Sequence, residues 1–357
     1  MYGLNFKSYP MMQRTKTDEP ISKQVKRRKA APKEKEYDGN FGQVIHTGST
    51  LLDLNISGGR IHGGGIPGGV FVEAFGPSGS GKTVLLSEIA GDVQRQSGDL
   101  MFHDPEARLN QRFAQMFGLN LEEGEYYRPN TVTEVFSAVR KWEPKNEKII
   151  NGVFADSLAA LSTDMEMDEG DPFGGRRAKE FSEQLRVTCR LLAEKNYLMV
   201  CSNQVRDIIG ASQYQPKTKS PGGRALEFYP SLRLQFSNPK KLTVKKTIAK
   251  KVVSQIVGVE TDIFVFKSSL DMPFRTSPVT ILFDYGIDDL KQNLQFIKDH
   301  TTNTVYNVGT MKLDKSMAES IKIVEDEGLE LKLKEEVINL WEEIQTKFQS
   351  ERKAKRT

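Results

Sequence analysis

Short apolar runs alternate along this chain with longer stretches whose apolar positions recur every third or fourth residue. "VFVEAF" (Val70 to Phe75) is β-branched and aromatic, which predicts a buried strand. Leu85, Leu86, Ile89, Ala90 and Val93 then share one face of a helix. The alternation continues with a strand at "LMFHD" (Leu100 to Asp104), a helix from Thr131 to Trp142 and a strand at "IINGVFAD" (Ile149 to Asp156). Phe181, Leu185, Thr188 and Leu192 mark a helix running to about Asn196, and "YLMVCSNQ" (Tyr197 to Gln204) a further buried strand. "SLRLQF", "TDIFVFK" and "PVTILFDY" add later strands. Interleaving of this kind predicts an α/β fold with a mostly parallel, twisted sheet covered on both faces.

The two ends differ from this middle. Residues 1–38 are polar and basic, with prolines at 10, 20 and 32 and no apolar period, and read as a disordered segment. The glycine-rich "ISGGRIHGGGIPGG" reads as loops around a short hairpin. Beyond Asp288 the pattern turns helical, and Val337, Leu340, Trp341, Ile344 and Phe348 form one stripe of a terminal helix. The expected division is therefore a core over 39–294 and a small helical region over 295–357.

Composition narrows the class. Of 357 residues, 38% are apolar and 27% charged, as in ordinary soluble proteins. No apolar run approaches the roughly 18 residues that cross a bilayer, and the N-terminus lacks a segment of signal-peptide type. Cys189 and Cys201 sit in apolar-patterned segments and read as buried thiols of a reducing compartment, so a cytoplasmic protein without membrane partners is expected. The net charge of +4 is unevenly spread: "KKLTVKKTIAKK" (Lys240 to Lys251) holds six lysines and no acid. Such blocks suit a polyanion, or are simply a solvated tail and a solvated hairpin.

The chemistry concentrates at "FGPSGSGKTVLL". Gly76, Gly81, Lys82 and Thr83 satisfy G-x-x-x-x-G-K-[ST] between a predicted strand and a predicted helix. Glycines let the loop's backbone N–H groups turn inward around a phosphate, and the helix start adds its positive dipole end. Pro77, Ser78, Gly79 and Ser80 complete the cradle, Lys82 would reach the β- and γ-phosphates, and the Thr83 hydroxyl would ligate Mg²⁺. Asp156 closes an apolar strand, where the second metal carboxylate of such a site belongs, or else caps a helix. Glu106 lies just past a neighbouring strand, placed either to orient attacking water or as a surface glutamate.

"HTGSTLLDLNI", "DPEARL", "FADSLAAL", "CSNQVRDIIG", "SPGGRALEFYPSLRL" and "FKSSLDMPF" follow one another around that loop. Together they resemble the ATPase core of RecA-type recombinases, including phage and archaeal relatives, over roughly residues 45–290. The resemblance implies ATP and Mg²⁺ as cofactors, Glu106 as the glutamate that activates water, Asp156 on the metal side and Gln204 as sensor of the γ-phosphate. It also implies Phe113 against adenine, Asn110 as a polar adenine contact, and Lys267 reaching the ATP of an adjacent subunit. Two loops would hold single-stranded DNA. The first, Met165 to Arg177, offers Arg176 or Arg177 to phosphate; the second, Ile209 to Arg224, offers Lys217, Lys219, Arg224, Gly222, Gly223 and a stacking Tyr214.

The function so implied is an ATP-dependent recombinase that forms helical homo-oligomeric filaments on single-stranded DNA and pairs it with homologous duplex DNA. Two other readings are an accessory or annealing paralogue without strand exchange, and a P-loop DNA motor or helicase. The chain departs from the bacterial pattern at Ser269, which stands where relatives place a second lysine, and in its basic "ERKAKRT" end. A subunit-docking strand is expected near Phe41 to Ile45.

Overall fold

A computed structural model describes residues 42–163, 175–204, 206–207, 218–219 and 225–352. β1 (Val44–Ile45) leads to α1 (Thr50–Ser57), capped by the Ser49 side chain, and then to β2 (Ile66–Pro67), which pairs with β1. The core unit follows as β3 (Phe71–Gly76), α2 (Lys82–Arg95), β4 (Leu100–His103), α3 (Gln111–Met116) and β5 (Glu125–Tyr127). α4 (Val132–Lys141), β6 (Asn151–Ala155), α5 (Gly175–Lys195) and β7 (Tyr197–Gln204) continue the alternation. At α4 the T-x-x-E pattern forms a capping box, in which Thr131 and Glu134 satisfy each other's backbone N–H groups.

After β8 (Arg206–Asp207), β9 (Thr218–Lys219) and the single turn α6 (Ala225–Phe228), the chain turns to antiparallel strands. These are β10 (Leu232–Phe236), β11 (Lys240–Ile248), β12 (Lys251–Ser268), β13 (Thr276–Leu282) and β14 (Gly286–Ile287). α7 (Asp289–His300), the hairpin β15 (Asn307–Val308) with β16 (Met311–Lys312), α8 (Met317–Asp326) and α9 (Glu330–Lys347) complete the described chain.

One ten-stranded sheet organises the molecule. Its order is β14, β13, β12, β10, β3, β7, β6, β4, β5, with β11 attached to β12. From β10 to β5 all neighbours are parallel; from β10 to β14, and at β11, they are antiparallel. Alternation along β7 shows how both faces are used: Leu198 and Val200 join the cluster with α2, while Tyr197, Met199 and Cys201 join the cluster with α4 and α5. A third cluster ties Leu51 and Leu54 of α1 to α7, α8 and α9, and Trp341 Nε1 donates to Asn55 Oδ1 at 3.3 Å.

Several expectations change. The glycine-rich stretch makes no hairpin of its own, because β2 pairs with β1. That pairing takes up one edge of Val44 and Ile45, part of the stretch where a docking strand is expected. The first expected DNA loop is shorter than its sequence suggests: Arg176 and Arg177 fall in the first turn of α5. Phe348 leaves the apolar stripe, capping α9 with 84% of its surface exposed. Cys201 is buried, but Cys189 only half so, and both thiols are free. Among the described residues no helix is long and apolar enough to cross a membrane.

Candidate nucleotide-binding and active site

The loop between β3 and α2 follows from its sequence. Gly79 and Gly81 hold φ of +71° and +96°, in the region that disfavours a Cβ. A Cβ on Gly81 would also lie 2.2 Å from Ile281 Cδ1, so any side chain there must push the end of the Ile281 side chain aside. Ser80 Oγ donates to the Pro77 carbonyl at 2.9 Å, closing the loop on itself. Lys82, almost fully buried, spans the mouth, its Nζ donating to the carbonyls of Pro77 at 2.6 Å and Gly76 at 3.1 Å. Burial pulls this ammonium below the usual lysine range, and the nearby Asp156 charge partly offsets the effect.

Asp156 follows β6 and lies between α2 and β7. Thr83 Oγ1 donates to its Oδ2 at 2.5 Å, and Ser202 Oγ donates to Oδ1. Burial raises the carboxyl above the ordinary aspartate range, while the two hydroxyls and Lys82 pull it back down. Glu106 stands across the cavity, its Oε1 accepting from Ser157 Oγ at 3.2 Å and its Oε2 paired with Arg108 at 2.6 Å. Asp104, buried beside it, accepts from Tyr126 OH at 2.7 Å and from the Leu109 N–H at 2.8 Å. These groups share a cavity of about 380 Å³, the size of a small-molecule site, which Phe113 and Gln204 also line.

The sequence-derived residues thus separate into three groups. The first is the loop from Ser78 to Thr83 with Glu106, Phe113, Asp156 and Gln204, which all meet in one cavity. Gly76 and Pro77 anchor it through their carbonyls. The second lies apart from the cavity. Asn110 is exposed and caps α3, its Oδ1 accepting from the Phe113 N–H at 2.8 Å, so it orients the helix carrying Phe113. Lys267, at the end of β12, donates to the carbonyls of Phe228 at 2.6 Å and Glu227 at 3.1 Å. The third group concerns DNA: Tyr214, Lys217, Gly222, Gly223 and Arg224 lie outside the described residues, and only the backbones of Arg176, Arg177 and Lys219 are described.

Sequence reasoning missed Ser202, Arg108 and Asp104. Ser202 had a legible signal, since the period of two along β7 puts it on the same side as Gln204, facing α2.

A profile of the RecA N-terminal domain family matches residues 30–288. The chain belongs to the RecA family. It is 35% identical over 247 residues to Protein RecA of Thermus thermophilus, covering 69% of this chain and 68% of that protein. Protein RecA of Bacillus subtilis is 32% identical, covering 68% and 66%. Protein RecA of Acholeplasma laidlawii is 27% identical over 292 residues, covering 80% and 83%.

A buried and a half-buried group near this RecA-type site act on stability with opposite signs. His103, at the end of β4, is 1% exposed, and neither ring nitrogen has a hydrogen-bond partner. Burial pushes its pKa down to about 4 from 6.5. The unfolded chain therefore binds the extra proton between these values, and stability, complete above pH 6.5, is lost as pH falls. Glu88 on α2 is pushed up to about 7 from 4.5 by burial, so its contribution is complete below pH 4.5 and lost as pH rises through 7. Over the shared window the two slopes oppose each other. His103→Phe removes the first, so relative to the parent chain it should gain about 1.4 kcal/mol per pH unit on acidification from pH 6 to 5. Urea midpoints at each pH measure this; a pH-independent difference would refute a buried neutral imidazole.

Proposed function

We propose that this chain is a DNA-dependent ATPase that forms helical filaments on single-stranded DNA, using ATP and Mg²⁺, and promotes homologous pairing and strand exchange. The observation that supports it best is the Asp156 carboxylate held between Thr83 of the phosphate loop and Ser202 of β7, in one cavity with Glu106 and Gln204. An all-oxygen donor set of one hydroxyl and one carboxylate suits Mg²⁺, which takes its remaining ligands from phosphates and water. Bound there, the ion would neutralise charge on the phosphate oxygens.

The protein's own groups supply the rest. Lys82 exchanges its loop carbonyls for phosphate oxygens. Glu106 accepts a proton from the attacking water, with Ser157 fixing its orientation. Phe113 offers a ring to adenine. Gln204 reads the terminal phosphate at the end of β7, directly before the expected second DNA loop. Lys267 lies outside its own chain's cavity, which is compatible with a role at the nucleotide of the next subunit. The residues of both loops, from Arg176 and Arg177 to Tyr214, Lys217, Lys219, Gly222, Gly223 and Arg224, hold the strand. The division into a basic segment over 1–38, a core over 39–294 and a helical region over 295–357 belongs to the same reading.

Lys82→Ala should reduce DNA-stimulated ATP turnover to under about 1%, the scale on which a preorganised charge acts on phosphoryl transfer. Phosphate release in the presence of single-stranded DNA measures it. Electron microscopy on single-stranded DNA with a non-hydrolysable ATP analogue, beside a strand-exchange assay, tests the whole reading. Helical filaments with exchange are expected. Filaments without exchange would identify an accessory ATPase, and closed rings a motor.

A further inference from the structure

The strands β11 and β12 continue well beyond the sheet that carries them. β12 meets β13 only from Gly258 onward and β10 only from Ile263 onward, so Thr243 to Ile256 pair with each other and with no other strand. All fourteen residues are exposed. The turn at Ala249 and Lys250 has φ of +48° and +63°, the paired positive values of a tight two-residue hairpin. The ribbon projects about 20 Å from the sheet edge. A bare two-stranded ribbon is marginal in water, so its composition calls for a reason.

That composition is one-signed. From Ser237 to Val259 there are six lysines (Lys240, Lys241, Lys245, Lys246, Lys250 and Lys251) and no acid. Among the described residues none of the six forms an ion pair with a carboxylate. Cross-strand register assigns the faces. Lys246 and Lys251 lie on one face with Val244, Ile248 and Val253; Lys245 lies on the other with Val252 and Ile256; Lys250 is at the tip. Charge therefore points to both sides and forward, with exposed apolar side chains between.

A surface that lies on a lipid headgroup layer gathers its apolar residues on one side and its cations around them. This ribbon does not segregate them. It matches instead a slot with negative charge on both walls, and the DNA major groove is wide enough for a two-stranded ribbon between two phosphate backbones. We propose that the free-standing part of the β11/β12 ribbon is an arm that enters a groove of duplex DNA, with its lysines on the two backbones. The proposal rests on the reading above only in taking the polyanion to be DNA. It gives the chain a grip on a duplex separate from the loops that hold the single strand.

The test uses the full-length protein assembled on unlabelled oligo-dT with a non-hydrolysable ATP analogue, titrated with a fluorescent duplex of unrelated sequence. In a variant carrying Lys245→Gln, Lys246→Gln, Lys250→Gln and Lys251→Gln, duplex affinity near 0.1 M salt should fall ~100-fold or more. The slope of log affinity against log salt should become shallower by about 3 to 4, near 0.9 for each lost phosphate contact. ATP turnover on oligo-dT should be unchanged, since none of the four lysines lines that cavity. A second variant, Val253→Ser with Ile248→Ser, keeps the charge and should keep the slope. Unchanged duplex affinity and slope in the lysine variant would overturn the proposal. So would lysine-dependent capture by phosphatidylglycerol vesicles with duplex binding unaltered. Loss of turnover on oligo-dT in the unsubstituted chain would instead refute the proposed function, leaving the duplex titration to be read by itself.

Discussion

Glu106→Gln is expected to lower DNA-stimulated ATP turnover by roughly 10²- to 10⁴-fold, the range of a lost general base, while leaving nucleotide affinity within a few-fold. The substitution is nearly isosteric. The amide oxygen can still accept the Ser157 hydroxyl, so the side chain keeps the orientation seen at 3.2 Å. What disappears is the basicity toward water and the charge facing Arg108. Arg108 is 78% exposed, so the lost pair changes stability little and the melting temperature should barely move. Because ATP would persist, assemblies on single-stranded DNA should outlive those of the parent. Turnover at the parental rate, or failure to assemble with ATP present, would remove Glu106 from the proposed role.

The largest stability effect should come from Glu73→Ala. Glu73 and Arg233 lie side by side on β3 and β10, the Arg233 Nε donating to Glu73 Oε2 at 2.6 Å with both side chains almost wholly buried. Asn203 of β7 donates to the other oxygen at 2.9 Å. The guanidinium also packs against two rings, 4.5 Å from the centre of Phe75 and 5.2 Å from that of Phe266. Burial raises the Glu73 carboxyl above its usual range, and Arg233 and Asn203 oppose that rise. Alanine would strand a buried cation, a loss of about 3–5 kcal/mol. Replacing both partners removes the stranded charge, so Glu73→Leu with Arg233→Met should recover most of it. Urea unfolding measures both variants. A single substitution costing under about 1 kcal/mol would mean the pair is hydrated in solution.

Much of this architecture was legible because local periods and global packing agree. β7 spans Tyr197–Gln204 as its apolar run predicts, and α4 begins at the Thr131 that its capping box marks. α1 escaped because it is only eight residues long, too short a window for a helical period to stand out, and all eight are buried. The phosphate loop, Asp156, Glu106 and Gln204 were readable since each sits at a strand's carboxyl end, a position that sequence spacing reports. The contacts that tie them together were not. Thr83 with Asp156, Ser157 with Glu106 and the Glu73–Arg233–Asn203 chain join residues 51 to 160 positions apart. Asn110, singled out by the resemblance alone, has its Oδ1 engaged at the cap of the helix that carries Phe113.

β12 has a mechanical consequence. It is one unbroken strand, and its last free residue, Ile256, is followed at Gly258 by a position where a Cβ would meet the Ile281 carbonyl at 2.3 Å. The pairing with β11 shifts register there: Leu242 pairs with Gly258 and Thr243 with Ile256, which leaves Val257 of β12 as the extra residue. The ribbon is thus a cantilever clamped at a tight, side-chain-free fulcrum, and a tilt of a tenth of a radian at that point carries its tip about 2 Å. The far end of the same beam is Lys267, so a load on the tip is borne within the strand that ends beside the Phe228 carbonyl.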